Sequence, residues 1–147
     1  MSKVMSIRFQ DQQVARLGRI SRRLGKQPSE TVALLVEEAL RMAEHPQIDF
    51  RDSMAGRQAY VKGSGQAVWE VAMLARGLDW DAEKVATYLH WPLGRAQAAL
   101  NYRRDYHEEI DAELADNDAV DFAALQRMLP QIQRFVVSAD PPSDETR

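Results

Sequence analysis

The sequence predicts an all-α chain with one short N-terminal β-strand, organised as two helical modules. Three observations predict this. Residues 3–9, Lys-Val-Met-Ser-Ile-Arg-Phe, alternate with period two, as a half-buried strand does. Most of the chain beyond residue 10 carries apolar residues at helical spacing, divided by capping residues, glycines and prolines. The basic and acidic residues are concentrated toward opposite ends of the chain.

Composition narrows the class. With 147 residues, 45% hydrophobic and 28% charged, the chain suits one globular domain or two small ones rather than wholesale disorder. The absence of cysteine excludes disulfides, thiol catalysis and thiolate metal sites. No apolar run reaches bilayer length, and Arg8, Gln10, Asp11, Gln12 and Gln13 interrupt any signal-peptide core, so the expected location is the cytoplasm with no membrane contact. Residues 1–29 hold seven cations (Lys3, Arg8, Arg16, Arg19, Arg22, Arg23, Lys26) against Asp11 alone, a net of +6. Residues 105–147 hold eleven acids against Arg127, Arg134 and Arg147, a net of −8. A basic head and an acidic tail suggest a polyanion-binding end and a different task at the other.

In the strand, Met5, Ile7 and Phe9 face a core and Val4, Ser6 and Arg8 face out. One strand cannot satisfy its own backbone and no second strand follows nearby, so its expected partner is the same strand of another chain. Asp11 is the expected N-cap of a helix whose stripe is Val14, Leu17, Ile20 or Ser21, and Leu24, with arginines on the other faces. Gly25 ends it. After the turn Lys26-Gln27-Pro28, Ser29 is the expected cap of a second helix with the stripe Val32, Leu35, Val36, Ala39, Leu40 and Ala43, closed by His45-Pro46. Forty-five residues are too few for an independent core, whereas a homodimer lets Leu35, Val36, Ala39 and Leu40 meet their symmetry mates.

The pattern Ile7-Arg8-Phe9, Leu17, Leu24-Gly25-Lys26, Pro28-Ser29-Glu30 and Ala39-Leu40 resembles the ribbon-helix-helix family of the Arc, MetJ and CopG repressors. The resemblance covers about the first third of the chain. It implies that Val4, Ser6 and Arg8, on the outer face of a paired ribbon, read base edges in the major groove. Arg8 suits guanine, and Val4, where a polar residue is usual, suits a thymine methyl. It also implies that Ser29, Glu30 and Thr31 at the second helix start grip a DNA phosphate, with Lys3 and Lys26 as further phosphate contacts. The plainer alternative is a ribbon that only dimerises.

Residues 46–55 read as a connector. Residues 56–65 read as a short extended piece closed by a glycine turn, with neither a phosphate loop's spacing nor a nucleophile elbow's context. Three helices are expected next. Val68, Val71, Ala72, Ala75 and Leu78 give one, stopped by Gly77, and Asp81 caps another carrying Val85, Ala86 and Leu89. Trp91-Pro92 starts one long helix with Ala96, Ala99, Leu100, Arg103, Tyr106 or His107, Ile110 and Leu114. Trp69, Trp80 and Trp91 are expected to fill this module's core.

The order Gly56-Arg57, Tyr60-Val61-Lys62-Gly63-Ser64, Val68, Leu74, Gly77, Ala82-Glu83-Lys84-Val85, Tyr88 and Ala98-Ala99-Leu100-Asn101-Tyr102 is similar to a family of short bacterial helix-turn-helix proteins of unknown function, commonly treated as antitoxins of PIN-type nucleases. The family's usual glycine-threonine-arginine is Gly63-Ser64-Gly65 here. That resemblance makes Arg95, Gln97, Asn101 and Arg104 a second DNA or partner face; the alternative is a packing helix with solvated polar residues, since Asp105, Glu108 and Glu109 follow at once. In the acidic tail, Phe122, Leu125, Leu129, Ile132 and Val136 form an amphipathic stripe suited to docking on a basic toxin, or to folding back.

His45, His90 and His107 make no metal-ligand pair, and the carboxylates read as a solvated face, so neither enzyme, metal nor cofactor is expected. The expected divisions are 1–45 for a ribbon-helix-helix module, 46–55 for a connector, 56–115 for a helix-turn-helix-like module and 116–147 for an acidic segment. The expected function is a sequence-specific repressor on a palindromic double-stranded operator, acting as a homodimer or a higher oligomer on DNA, and the antitoxin of a toxin-antitoxin pair. The alternatives are a regulator without a toxin and a dimeric adaptor that binds no DNA.

Overall fold

The computed structural model describes residues 1–120 and residue 127. These comprise six helices and a two-stranded antiparallel sheet: α1 (Asp11–Leu24), α2 (Pro28–Glu44), β1 (Ile48–Ser53), β2 (Gly56–Val61), α3 (Val68–Arg76), α4 (Ala82–Leu89), α5 (Leu93–Asp105) and α6 (His107–Asp118). The mostly helical character is as expected, but the strands are not where the sequence pointed. Residues 1–10 form no strand in the single chain and are exposed throughout. The physical reason is that no other segment among the described residues offers them backbone partners.

The sheet instead arises in the stretch read as a connector. Ile48 pairs with Val61, Phe50 with Ala59 and Ser53 with Gly56 around a two-residue loop. Gly56 sits at φ +103°, where a side chain would be strained. The Ser53 hydroxyl donates to the Gly56 carbonyl at 2.8 Å and accepts from the Ala55 amide at 3.2 Å, closing the turn. Alternation sends Ile48, Ala59 and Val61 into the core, while Asp49 and Arg51 pair with each other on the outer side at 3.0 Å.

That core is continuous from the hairpin to α6. Ile48, Val61, Val68, Val71, Ala75, Val85, Ala96, Ala99, Tyr102 and Ile110 are all at most 1% exposed. Burying each large apolar side chain contributes about 1.5–3 kcal/mol before entropy is counted. The expected stripes of α3, α4 and α5 supply most of it, and Asp81 caps α4 by accepting from the Glu83 and Lys84 amides. The tryptophans do not fill it, contrary to expectation. Trp69 and Trp91 pack against its edge, and Trp80 is 39% exposed under the Arg103 guanidinium, 4.3 Å from its ring centre. Small residues from three helices leave room at the centre for Tyr102 instead.

The long helix expected from Pro92 onward is two helices, broken at Tyr106 (φ −125°, ψ 42°). The break has a tertiary cause. The Tyr106 ring lies under the Arg41 guanidinium at 4.0 Å and its hydroxyl donates to Glu44 Oε2 at 2.7 Å, so α2 pulls this residue out of helical geometry. Helix α6 runs to Asp118, across the expected division at residue 115.

Arg41 is the centre of this junction. It donates to Glu37 Oε1, to the Tyr102 hydroxyl and to Glu109 Oε2, each at 2.9 Å, and the Tyr102 hydroxyl donates to Glu109 at 3.1 Å. Burial opposes the Arg41 charge, but the hydrogen bonds to Glu37 and Tyr102 and the Glu109 field outweigh it and raise its pKa. A second tie lies one turn earlier, where Arg57 of the hairpin donates to Glu38, a carboxylate only 3% exposed on α2. Replacing Tyr102 by Phe keeps the ring and removes the hydroxyl, leaving Arg41 and Glu109 short of one partner. The expected cost is about 1–2 kcal/mol, measurable as a lower urea midpoint at unchanged m-value.

Candidate nucleic-acid interface

The first two helices meet through a polar clasp. Ser21 Oγ donates to Thr31 Oγ1 at 2.9 Å, and Thr31 Oγ1 donates to the Gln27 carbonyl at 3.0 Å. Both residues are buried, which resolves the alternative in the first stripe in favour of Ser21 inside. Gly25, at φ +65°, ends α1 in a left-handed cap, with the Lys26 amide donating to the Ser21 carbonyl and the Gly25 amide to that of Arg22. The two expected caps lie one or two residues too late. Gln10 rather than Asp11 caps α1, and Gln27 rather than Ser29 caps α2 with Pro28 in its first turn.

This geometry sorts the residues expected at the phosphate. Thr31 is removed: its hydroxyl is in the clasp, its amide donates to the Gln27 carbonyl, and it is fully buried. Glu30 uses its carboxylate to accept from the Gln27 amide at 3.3 Å. The Ser29 amide precedes the first intrahelical bond, and the Ser29 side chain is exposed. Lys26 stands exposed on the same turn.

The cations of the chain divide sharply. Among the described residues, Lys3, Arg8, Arg16, Arg19, Arg22 and Lys26 are exposed, and no carboxylate lies within salt-bridge distance of any of them; Arg23 has a loose contact to Asp52 at 3.8 Å. Beyond residue 40 most cations are paired, although Lys62 is exposed and in no ion pair among the described residues, and Arg95 meets the Trp91 ring rather than a carboxylate. Arg41 pairs with Glu37 and Glu109, Arg51 with Asp49, Arg57 with Glu38, Arg76 with Asp118, Lys84 with Asp79, Arg103 with Asp111 and Arg104 with Asp105.

Large apolar side chains are exposed in both parts, Met54, Tyr88, Leu93 and Val120 among them beyond residue 40, but they are denser before it. Val4, Met5, Ile7 and Phe9 are exposed, as are Val14, Val36, Ala39 and Leu40, with Leu35 half-buried. Phe9, Leu17, Ile20 and Leu35 line one groove between the arm and the two helices. Together these residues leave an uncovered apolar face on the first two helices.

The four residues expected as a second face are not an open cationic surface. Arg95 packs over Trp91 and against Gly63, whose φ of +73° and lack of Cβ admit the guanidinium. Gln97 donates to Asn101 at 2.9 Å, and Arg104 is held by Asp105 at 3.1 Å. Phe122, Leu125, Leu129, Ile132 and Val136 lie outside the described residues. His45, expected only as a helix stop, contacts Asp105 at 3.1 Å and stacks edge-on against Tyr102 and Tyr106. Sequence reasoning missed the importance of Glu38, although an acid beside the apolar stripe of α2 was a visible signal.

One further cleft, lined by Ala55, Arg57, Gln58, Trp69, Glu113 and Asp116, joins the hairpin to α6. Among the described residues, no helix is long and apolar enough to cross a membrane. Fold and surface together give a mostly helical protein with a small hairpin, whose first two helices carry a basic, partly uncovered apolar surface. No family model matches the chain, and neither a curated protein nor a solved structure is found to be similar to it.

Burial against Trp69, with Glu109 and Asp116 nearby, pushes the Glu113 carboxyl from its ordinary 4.5 up to about 7. The folded chain then holds a proton there that the unfolded chain releases between about pH 4.5 and 7. Stability from this group is present below pH 4.5 and falls as pH rises through 7. Discounted for its partial exposure, the loss is about 1 kcal/mol. Glu113→Gln should flatten that part of the stability profile, read by thermal unfolding from pH 4.5 to 8.

Proposed function

We propose that the protein is a dimeric DNA-binding repressor of the ribbon-helix-helix type, and the antitoxin of a toxin-antitoxin pair. The observation that carries this reading is that most of the unpaired cations coincide with uncovered apolar residues on residues 1–40, whereas most cations beyond residue 40 are paired with carboxylates and the buried core lies there. A homodimer covers Phe9, Leu35, Val36, Ala39 and Leu40 and gives residues 3–9 a backbone partner in the other chain's strand. The paired strands then present Val4, Ser6 and Arg8 to the major groove, and Ser29 with Lys26 meets a phosphate. A two-fold dimer requires a palindromic operator.

The second module is assigned to protein contact rather than DNA. Its α5 surface carries the Arg104–Asp105 pair, and the acids of α6 follow directly, which opposes a phosphate backbone and suits a basic protein partner. A toxic nuclease is such a partner. A plain regulator would have the same first module, and co-purification with the neighbouring gene product separates the two.

Val36→Glu puts a charge in the self-association face and should shift the protein from dimer to monomer, seen by sedimentation equilibrium. An unchanged dimer would place the interface elsewhere. Arg8→Ala should lower discrimination between operator and mutated operator by about 1–3 kcal/mol while sparing non-specific affinity. Equal losses on both duplexes, read by gel shift, would reduce Arg8 to a phosphate contact.

A further inference from the structure

We propose that the cleft between the α1–α2 turn and the hairpin tip is a second DNA-backbone site, in which Asp52 occupies the phosphate position when DNA is absent. This rests on the repressor reading and extends its footprint to an element outside the ribbon and its two helices.

Arg23 and Lys26 line the cleft from the turn, Ser53, Gly56 and Arg57 from the hairpin, and Leu24 and Leu34 form its apolar floor. Asp52 bridges the two sides. Its Oδ2 lies 3.8 Å from Arg23 and its Oδ1 3.2 Å from Arg57. A carboxylate and a phosphate present similar oxygen acceptors to guanidinium groups, so whatever satisfies one suits the other. The Arg23–Asp52 contact is long and its side chains are more than half exposed, which makes it weak and displaceable. Arg57 does not need Asp52 to remain in place, because the buried Glu38 holds it.

The surroundings identify the ligand. Lys26 belongs both to this cleft and to the turn that leads into the free Ser29 amide, so one backbone strand passing the α2 start continues into the cleft. Arg19 and Arg22 extend the same charge along α1. Asp52 also sets a cost on binding. Every duplex must displace it alike, so it lowers affinity for operator and random DNA by the same factor and leaves their ratio unchanged.

The test uses the full chain, a duplex from upstream of its own gene and a random duplex of equal length, with affinity measured against salt. Asp52→Asn should bind both duplexes about fivefold more tightly at low salt, the scale of one exposed charge removed. Arg23→Gln should weaken binding and make the log–log salt slope shallower by about 0.9, one phosphate contact. Arg23→Lys should keep the slope. If the wild type binds but Asp52→Asn gains nothing and Arg23→Gln keeps the wild-type slope, the cleft is not a DNA site, while the ribbon reading stands. If the wild type binds neither duplex, the repressor reading falls and takes this inference with it.

Discussion

Helix α2 has to serve two cores at once, and the rest of the structure depends on how it divides its surface. One side carries Glu38, Arg41 and Glu44 into the hairpin and the α5–α6 junction; another leaves Val36, Ala39 and Leu40 uncovered. The docked side is polar, which is unusual for a helix that anchors a domain. It works because nearly every donor finds an acceptor: no buried side-chain nitrogen or oxygen among the described residues lacks a hydrogen-bond partner. An apolar docked side would have left the helix hydrophobic on most of its circumference, with nothing to distinguish the face meant for this chain from the face left open.

The helices were largely legible in the sequence. Their stripes, Gly25, Gly77 and Asp81 are local signals, and local signals are what periodicity and capping report. The hairpin was only half legible. Gly56–Val61 looked extended, but Ile48 and Phe50, separated by charged residues, looked like a connector, and the Met54-Ala55 loop has no Asn-Gly or Asp-Gly to announce a turn. The break at Tyr106 could not be read from spacing, because its cause is Arg41, far earlier in the chain. Thr31 failed as a phosphate residue for a related reason. Its position after Ser29 and Glu30 suggested an open helix start, while its burial depends on Ser21 in the other helix.

Charge totals alone would have misplaced the chemistry of this chain. Cations continue well beyond residue 40, yet there most of them neutralise neighbouring carboxylates, with Arg103 and Arg41 also packed on aromatic rings. What separates a binding surface from a structural one is whether its charges are already spent. On that criterion most of the unspent positive charge among the described residues lies on the first two helices and the arm before them, although the overall net charge is −3.

The unbroken course of α2 has a mechanical consequence. Its seventeen residues span about 25 Å at the usual rise, with the open apolar face along its middle and the Arg41 anchor near its end. The helix is therefore a stiff lever clamped at one end. A tilt of about 10° imposed along its length moves the clamped end by roughly 4 Å, and the second module must travel with it. Any tilt of the first two helices is thus converted into a displacement at the far side of the molecule, because α2 runs on without a break between them.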